Sequence, residues 1–375
     1  MNIERLLKDA AAAETREVTR ESLPPLNLPA RRRPAGRWTV PVAAVLTVIA
    51  VVVVTVTVRG TLRGPEPLGA HDGPAYFLAT HREGGAGVFD SWTGRMVADI
   101  KPRAGHYAAL AVAAGRRTAF LADETGPCST RIDKVTIRRD GSVASRTTLP
   151  GEFGTRVDEM AATANGTRVA LVFNNLTGCR GDDVAVVDAS SGARRGWRLP
   201  PARADSPVQS PVWAADGRTL FFATDAPESP QGDDRGFELR ALDTATTGTD
   251  LLHARTALGG TAYLTSFRPS PDGRAFRAVE EDTADDGTFR SAAIVELTPP
   301  AGGGSGKAPV RTIARMTARQ IAPAAPVDFR TTLDATGGHL LVSSRRDRAV
   351  FRMDDDGRFR RLPDMHRTDL GLIAW

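Results

Sequence analysis

The strongest constraint on the fold is a glycine-containing turn that recurs along residues 114–339. Gly115, Gly166 and Gly217 lie 51 residues apart, and the later intervals are longer. A period near 50 with turn signals is typical of a propeller or a related repeat array. Asn-Gly and Asp-Gly favour tight hairpins because both central positions need a positive φ. The five turns are Ala114-Gly115-Arg116, Asn165-Gly166-Thr167, Asp216-Gly217-Arg218, Asp272-Gly273-Arg274 and Gly337-Gly338-His339.

Each of these turns separates two predicted strands of different composition. The strand before the turn is rich in Ala, Ser and Thr, which suits the crowded inner edge of a ring. The strand after it is more apolar, and a third and a fourth strand follow across a variable loop. Four strands per repeat make one propeller blade. The predicted inner strands are residues 107–113, 159–164, 211–215, 264–270 and 330–335.

The two ends of this region predict one further blade. Residues 75–79, 88–89 and 95–100 supply three strands but no inner strand, and the C-terminal run 370–375 supplies the missing one. Pairing of that run with the first blade would close the ring and protect an edge strand. We therefore predict an all-β, six-bladed β-propeller over residues 73–375. Seven blades are the alternative if the loop-rich region 281–328 holds another blade.

A short motif in the fifth repeat carries a family resemblance. Residues 267–274 read F-R-P-S-P-D-G-R, and the repeat pattern around them resembles WD40-like and TolB-like propeller families. The resemblance covers roughly residues 73–375 and implies the propeller fold. The Gly-His and Trp-Asp signature of true WD40 repeats is absent from the sequence.

The N-terminal region predicts a membrane anchor. Residues 38–58 carry no charge, and a helix of that length spans about 32 Å, enough to cross a hydrocarbon layer of about 30 Å. The arginines Arg31, Arg32, Arg33 and Arg37 precede it, whereas Arg59 and Arg63 follow it. The positive-inside rule then places the N-terminus in the cytoplasm and the propeller outside the plasma membrane. A cleaved signal peptide is the alternative, although its apolar core would be shorter.

The segments on either side of this span have separate predicted roles. Residues 59–72 form a linker, and residues 1–37 form a cytoplasmic arm with a short amphipathic helix. The apolar side chains Ile3, Leu6 and Leu7 are the candidate docking residues, or the helix only helps to orient the anchor. The layout resembles actinobacterial single-pass membrane proteins with an outer propeller, some of which accompany sigma factors. That resemblance implies a sigma factor as a possible cytoplasmic partner.

The two cysteines follow the repeat. Cys128 and Cys179 are separated by the same interval as the turn glycines. Both fall between the second and third strands of consecutive blades, where equivalent loops lie side by side. An exported domain permits a disulfide, so we predict a Cys128–Cys179 bridge. Two unpaired thiols are the alternative.

The loops of the same series are acidic. We predict that they gather on one face of the ring, where they bind a cation or a basic partner, or form only a solvated surface. The candidate residues are Asp182, Asp183, Asp233, Asp234, Glu281, Asp282, Asp285 and Asp286.

No motif in the sequence indicates catalysis, a cofactor or a metal site. The six histidines are scattered, and no Gly-x-Ser-x-Gly elbow is present. The net charge is +5, yet basic residues do not alternate with aromatic ones, so no nucleic-acid partner is predicted. The sequence therefore favours a noncatalytic ligand- or protein-binding module in envelope sensing or sigma-factor regulation. An extracytoplasmic lactonase- or hydrolase-like enzyme, with loop carboxylates and a cation, is the alternative.

Overall fold

Six four-stranded antiparallel sheets account for the strands that the structure describes. The structure is a computed structural model, and it describes residues 75–375 apart from 114–116, 174–178, 180, 201–207, 226–236, 247, 261–263, 271–273, 284–288, 300–307, 318–328, 335, 345–348, 354–356 and 366–369. The predicted arm and span, with Ile3, Leu6 and Leu7, lie outside the described residues and stay predictions. Within the described part of the chain, no helix is long and apolar enough to span a membrane.

The sheets follow one another along the chain as blades, each written here from the inner to the outer strand. Blades 1 to 3 are β24 (Leu370–Ala374), β1 (Tyr76–His81), β2 (Ala86–Asp90), β3 (Met96–Ile100); β4 (His106–Val112), β5 (Thr118–Gly126), β6 (Ser129–Ile137), β7 (Val143–Thr148); and β8 (Val157–Ala162), β9 (Arg168–Phe173), β10 (Val184–Asp188), β11 (Arg194–Trp197).

Blades 4 to 6 repeat the same order of strands. They are β12 (Val208–Trp213), β13 (Thr219–Asp225), β14 (Phe237–Asp243), β15 (Arg255–Gly260); β16 (Leu264–Pro269), β17 (Phe276–Thr283), β18 (Phe289–Leu297), β19 (Val310–Thr317); and β20 (Phe329–Leu333), β21 (Leu340–Ser344), β22 (Ala349–Met353), β23 (Phe359–Arg361). Two short 3-10 helices, Leu251–His253 and Pro363–Met365, lie in connections.

The inner strands form a closed ring, which confirms the six-bladed propeller. They contact one another in the order β24, β4, β8, β12, β16, β20 and back to β24. The seven-blade alternative is wrong. The described parts of region 281–328 complete blade 5, where β17 and β18 are long strands and β19 is their outer partner. The ring leaves no gap between blades 5 and 6, because β16 touches β20 directly.

Turn chemistry explains how the sequence forms the inner hairpins of blades 3 and 4. Gly166 has a φ of 66° and Gly217 a φ of 62°, a conformation that other residues adopt only with strain. The side chain before each glycine fixes the turn, since Asn165 accepts from the N–H of Thr167 and Asp216 from the N–H of Thr219. These local hydrogen bonds set the register between inner and second strands.

The core consists of six apolar clusters, one at each interface between neighbouring blades. The alternation along a strand explains this arrangement. In β9, Val169 and Leu171 pack toward blade 2, whereas Ala170 and Val172 pack toward blade 4. Since successive side chains point to opposite faces, a strand covered on both sides is apolar at every position.

Two contacts join the ends of the ring. β24 pairs antiparallel with β1, and Leu370 is buried in the cluster between blades 6 and 1. In the same interface the buried Arg352 guanidinium lies 3.7 Å from the ring centroid of Trp92 and donates to the hydroxyl of Ser91. A desolvated cation–π contact of this kind contributes about 2 kcal/mol.

The structure confirms the predicted disulfide. Cys128 lies between β5 and β6, and Cys179 lies between β9 and β10, so the bridge joins blades 2 and 3. Their Cα atoms are 5.5 Å apart, within the usual range for a disulfide.

We expect the Cys128→Ala/Cys179→Ala variant to lose stability because the bridge restricts the unfolded chain. The loop-closure term is about 4 kcal/mol for a loop of this length. The melting temperature of the full chain should fall by about 5–10 °C in a thermal scan. A reductant should lower the wild-type value similarly and leave the variant unchanged. A variant as stable as the oxidised wild type would contradict this.

We expect the closing strand to be a sensitive part of the ring. Leu370→Ala removes a side chain that is 3% exposed, and such a truncation costs about 2–5 kcal/mol. Leu372→Ala, on the same strand but only half-buried, is the matched control and should cost clearly less. Denaturant unfolding of both variants measures the difference, and equal losses would be inconsistent with the packing described.

Candidate functional site

The six inner strands surround a central channel with a cavity of about 610 Å³. Every blade contributes to its wall through β24, β4, β8, β12, β16 or β20. A cavity of this size falls in the range of small-molecule sites. The channel is therefore the candidate functional site.

The channel has two chemically different halves. We call the side of the ring with Cys128 and Cys179 the loop face and the side with the Gly166 and Gly217 turns the turn face. Each inner strand from β4 to β20 ends at a turn into its second strand, so its first residues lie toward the loop face. The wall of the loop-face half is polar and includes Glu159, Gln209, Ser210, Thr265, Arg330 and Thr331. The turn-face half is largely apolar and includes Ala162, Ala164, Trp213, Ala214, Ala215 and Pro269.

Two serines in adjacent inner strands have a left-handed backbone. Ser210 has a φ of 53° and Ser266 a φ of 54°, and no other non-glycine residue among those described has a positive φ. Both lie at register shifts in their pairing with the second strand. This conformation costs about 1–2 kcal/mol per residue. Strain of this kind clusters at ligand sites.

The strained serines orient polar groups across blade boundaries. The N–H of Ser210 donates to Oε2 of Glu159 in the neighbouring blade at 2.6 Å. The hydroxyl of Ser266 donates to the carbonyl oxygen of Thr331 at 3.0 Å. The bulges thus fix one carboxylate and one backbone segment at the channel wall.

Glu159 is a carboxylate without a directly paired cation. Burial raises the pKa of Glu159, and this outweighs the opposing effects of the Ser210 N–H and of the Arg330 and Arg268 charges. Those arginines are near enough to act through their charge. Nevertheless, no basic nitrogen of the described residues lies within 4.0 Å of this carboxylate.

Arg268 is the matching unpaired cation. It lies deeper in the channel than Ser266, because it comes two residues later in β16. Burial lowers the pKa of Arg268, although the charges of Asp334 and Glu159 oppose this. Its guanidinium donates to the carbonyl of Phe267 at 2.8 Å, and no carboxylate of the described part of the chain lies within 4.0 Å of it.

A second carboxylate, Glu281, completes the polar half. It lies near the end of β17, lines the channel and accepts a hydrogen bond from the Thr331 hydroxyl at 2.6 Å. Burial raises the pKa of Glu281 above its ordinary value. Two desolvated carboxylates and Arg268 therefore face one cavity.

Asp334, near the turn face, differs from these carboxylates because its oxygens are already used. It accepts from the hydroxyl of Thr336, from the N–H of Gly338, and from the N–H and ring Nδ1 of His339, the ring at 3.1 Å. Although burial acts to raise it, the pKa of Asp334 is lowered by the hydrogen bonds and charge of His339. We assign this cluster to the structure of the ring.

The predicted acidic residues that the structure describes differ in their surroundings and partners. Glu281 faces the channel, whereas Asp182 pairs with Arg194 at 2.6 Å and Arg198 at 3.3 Å. Asp183 accepts from the N–H of Leu199, and Asp282 lies 3.9 Å from Arg290. Asp233, Asp234, Asp285 and Asp286 lie outside the described residues. Within the described ranges, no group of three His, Cys, Asp or Glu side chains is arranged to hold a metal ion.

Sequence reasoning missed Glu159, Ser210, Arg268 and Arg330 as site residues. The signal for Glu159 was a charged residue in a predicted inner strand whose last four residues, 161–164, have small side chains. Arg268 lies inside the motif at 267–274, a pattern that by itself indicates only the fold. The contact between Ser210 and Glu159 joins two adjacent repeats, so no local pattern could have predicted it.

Comparisons with known proteins show no family for this chain. No protein-family model matches the chain, and no curated protein matches its sequence. Among solved structures, the chain is similar to the β-propeller domain of Cps50 (Swd1) from Myceliophteria thermophila, with 13% identity, coverage of 78% of this chain and 84% of that chain, and a TM-score of 0.45.

Two further similar structures differ in their described roles. Hydrazine synthase of Kuenenia stuttgartiensis has 13% identity, coverage of 80% and 83%, and a TM-score of 0.45. A putative 6-phosphogluconolactonase of Bacteroides uniformis has 12% identity, coverage of 80% and 99%, and a TM-score of 0.44. Identities this low say nothing about the ligand or activity of this chain.

We expect Glu281→Gln to stabilise the protein at neutral pH. A carboxyl whose folded pKa is raised binds its proton more tightly in the folded state, so stability falls as pH rises above its unfolded value near 4.3. The amide removes this penalty and still accepts from Thr331. Melting temperatures should therefore show a gain at pH 7.5 that disappears below about pH 4.

Glu296→Gln is the matched control for that experiment. Glu296 is ion-paired with Arg311 at 2.6 Å, so its neutralisation should give no gain at pH 7.5. A Glu281→Gln gain that is the same at both pH values would argue against a buried charge as its cause.

Proposed function

We propose that this chain is a noncatalytic recognition propeller that binds a small polar ligand in the loop-face half of its channel. The observation that carries the proposal is the pair Glu159 and Arg268, which face one cavity without an ion pair between them. Both side chains are half-buried, and a partly desolvated charge without an ion-pair partner among the described residues lowers stability, a cost that a ligand of opposite charge would offset. The two strained serines beside these residues support the same location.

The proposal includes a place in the cell. Residues 38–58 anchor the chain in the plasma membrane, with the arm 1–37 in the cytoplasm and the propeller outside. The Cys128–Cys179 disulfide supports this, since such bonds persist mainly in oxidising compartments. The WD40-like and TolB-like resemblance, the actinobacterial origin, and a sigma factor contacting Ile3, Leu6 and Leu7 belong to the same proposal. Ligand-dependent signalling to that partner would make the chain an envelope sensor.

The lactonase- or hydrolase-like enzyme stays an alternative proposal with less support. Its catalytic carboxylates would have to act with a bound cation. The channel wall carries the arginines Arg268 and Arg330 as well as carboxylates, and this mixture of charges favours a charged organic group over coordination of a cation. No specific contact among the described residues favours the enzyme.

We expect a channel ligand to raise the melting temperature of the full chain in detergent micelles. The panel is free amino acids, dipeptides, sugars, sugar acids, nucleotides and inorganic phosphate. A ligand at 100 times its Kd stabilises by about 2.7 kcal/mol, a shift of several degrees.

A matched pair at one wall position locates the binding. Gln209→Trp fills the loop-face half of the channel, and Gln209→Ala leaves it open, so the shift should be lost in the first and kept in the second. The proposal is refuted if no compound gives a shift that Gln209→Trp removes.

A further inference from the structure

We infer that the channel ligand carries an anionic group and a cationic group on one molecule, as amino acids and short peptides with free ends do. The inference rests on the proposed function and names the chemical class of its ligand. It follows from the presence of both signs of charge in a single cavity, where Arg268, Glu159 and Glu281 have no ion-pair partner among the described residues. Complementary charge fixes which partner a site selects.

A ligand with only an anionic group fits the cavity poorly. It would neutralise Arg268, but its charge would repel Glu159 and Glu281, which both line the same space. Such a ligand would further desolvate Glu159 and Glu281 without providing a counter-charge for either, and that desolvation is expensive.

A ligand with only a cationic group leaves Arg268 without a counter-charge, and a ligand with no charged group neutralises neither sign of charge. An amine would satisfy the carboxylates and leave the Arg268 guanidinium with its hydrogen bond to the Phe267 carbonyl but no counter-charge among the described residues. A neutral polyol offers hydrogen bonds to both but neutralises neither. A zwitterion compensates both signs at once.

The depth of the groups sets the orientation of the ligand. Arg268 is closer to the turn face than Glu159, because it lies further along its inner strand. The Oε2 atom of Glu159 is held by the Ser210 N–H, which leaves Oε1 to accept from the ligand. The carboxylate of the ligand therefore enters first and meets Arg268, and its ammonium group stays near Glu159 and Glu281. The apolar wall beyond Arg268, with Trp213 and Ala162, accommodates an aliphatic group but no further charge.

The test uses ω-aminocarboxylates of two to six carbons and, for each length, the alkanoate and the alkylamine of the same size. Binding to the full chain in detergent micelles is measured by calorimetry at low ionic strength, where charge effects are not screened. We expect one length of aminocarboxylate to bind at least tenfold more tightly than either singly charged analogue. This comparison needs no mutation, so it does not depend on the folding of a variant.

Substitutions then test which side chains bind the carboxylate of the ligand and which bind its ammonium group. Arg268→Met should lower the affinity for the aminocarboxylate at least tenfold, to that of the alkylamine. Glu159→Gln should lower it toward that of the alkanoate, and the double variant Glu159→Gln/Glu281→Gln should lower it to that of the alkanoate. Arg311→Met, at a 72% exposed side chain on the outer strand β19, is the control and should leave the affinity unchanged.

An alkanoate or alkylamine that binds as tightly as the best aminocarboxylate would overturn the inference, and so would the absence of binding by the whole series. These outcomes are separable from failure of the proposed function. A singly charged or neutral compound from the broad panel whose shift is lost in Gln209→Trp would leave the recognition function intact and refute only the zwitterion. If no compound binds in the channel, both the zwitterion inference and the proposed recognition function are refuted.

Discussion

The ring depends on the fact that its sheets are apolar on both faces. A second strand such as β9 presents buried side chains to blade 2 and to blade 4, so a single blade would expose an apolar face to water. Each blade is therefore stable only between two others, and the last must meet the first. The pairing of β24 with β1 satisfies that requirement, because it combines the two ends of the propeller in one sheet. Buried Leu370 and Trp375 complete the apolar interface there.

A closed ring also explains why the channel can hold unfavourable groups. The six apolar interfaces lie outside the channel and stabilise the fold, so the side chains of the channel wall need not contribute to stability. Strained Ser210 and Ser266, and the unpaired charges of Glu159, Glu281 and Arg268, all lie on that wall. Groups that reduce stability and are kept together in one cavity are typical of a site built for binding, where strain and stability oppose each other.

Three charged groups outside the channel, by contrast, have partners within the chain. Asp182 is neutralised by two arginines, Asp334 is surrounded by donors, and Arg352 is stacked on Trp92. The contrast distinguishes three channel residues from these structural charges: Glu159, Glu281 and Arg268 have no ion-pair partner among the residues that the structure describes. Most of the acidic loop residues that are described belong to the first kind, and Glu281 belongs to the second.

The sequence by itself determined the propeller repeat, the turns at Gly166 and Gly217 and the disulfide, because these depend on local turn chemistry and on a repeat of fixed length. Gly166 needs its positive φ whatever surrounds it, and Cys128 and Cys179 occupy equivalent loops of adjacent repeats. The C-terminal run 370–375 likewise had the composition of an inner strand. Only the tertiary structure decided the site. Glu159, Ser210 and Arg268 come from three different blades, and their meeting depends on the curvature of the ring and on two bulges. Burial, which shifts the pKa of Glu159 and Glu281, is a property of the assembled channel and not of any segment.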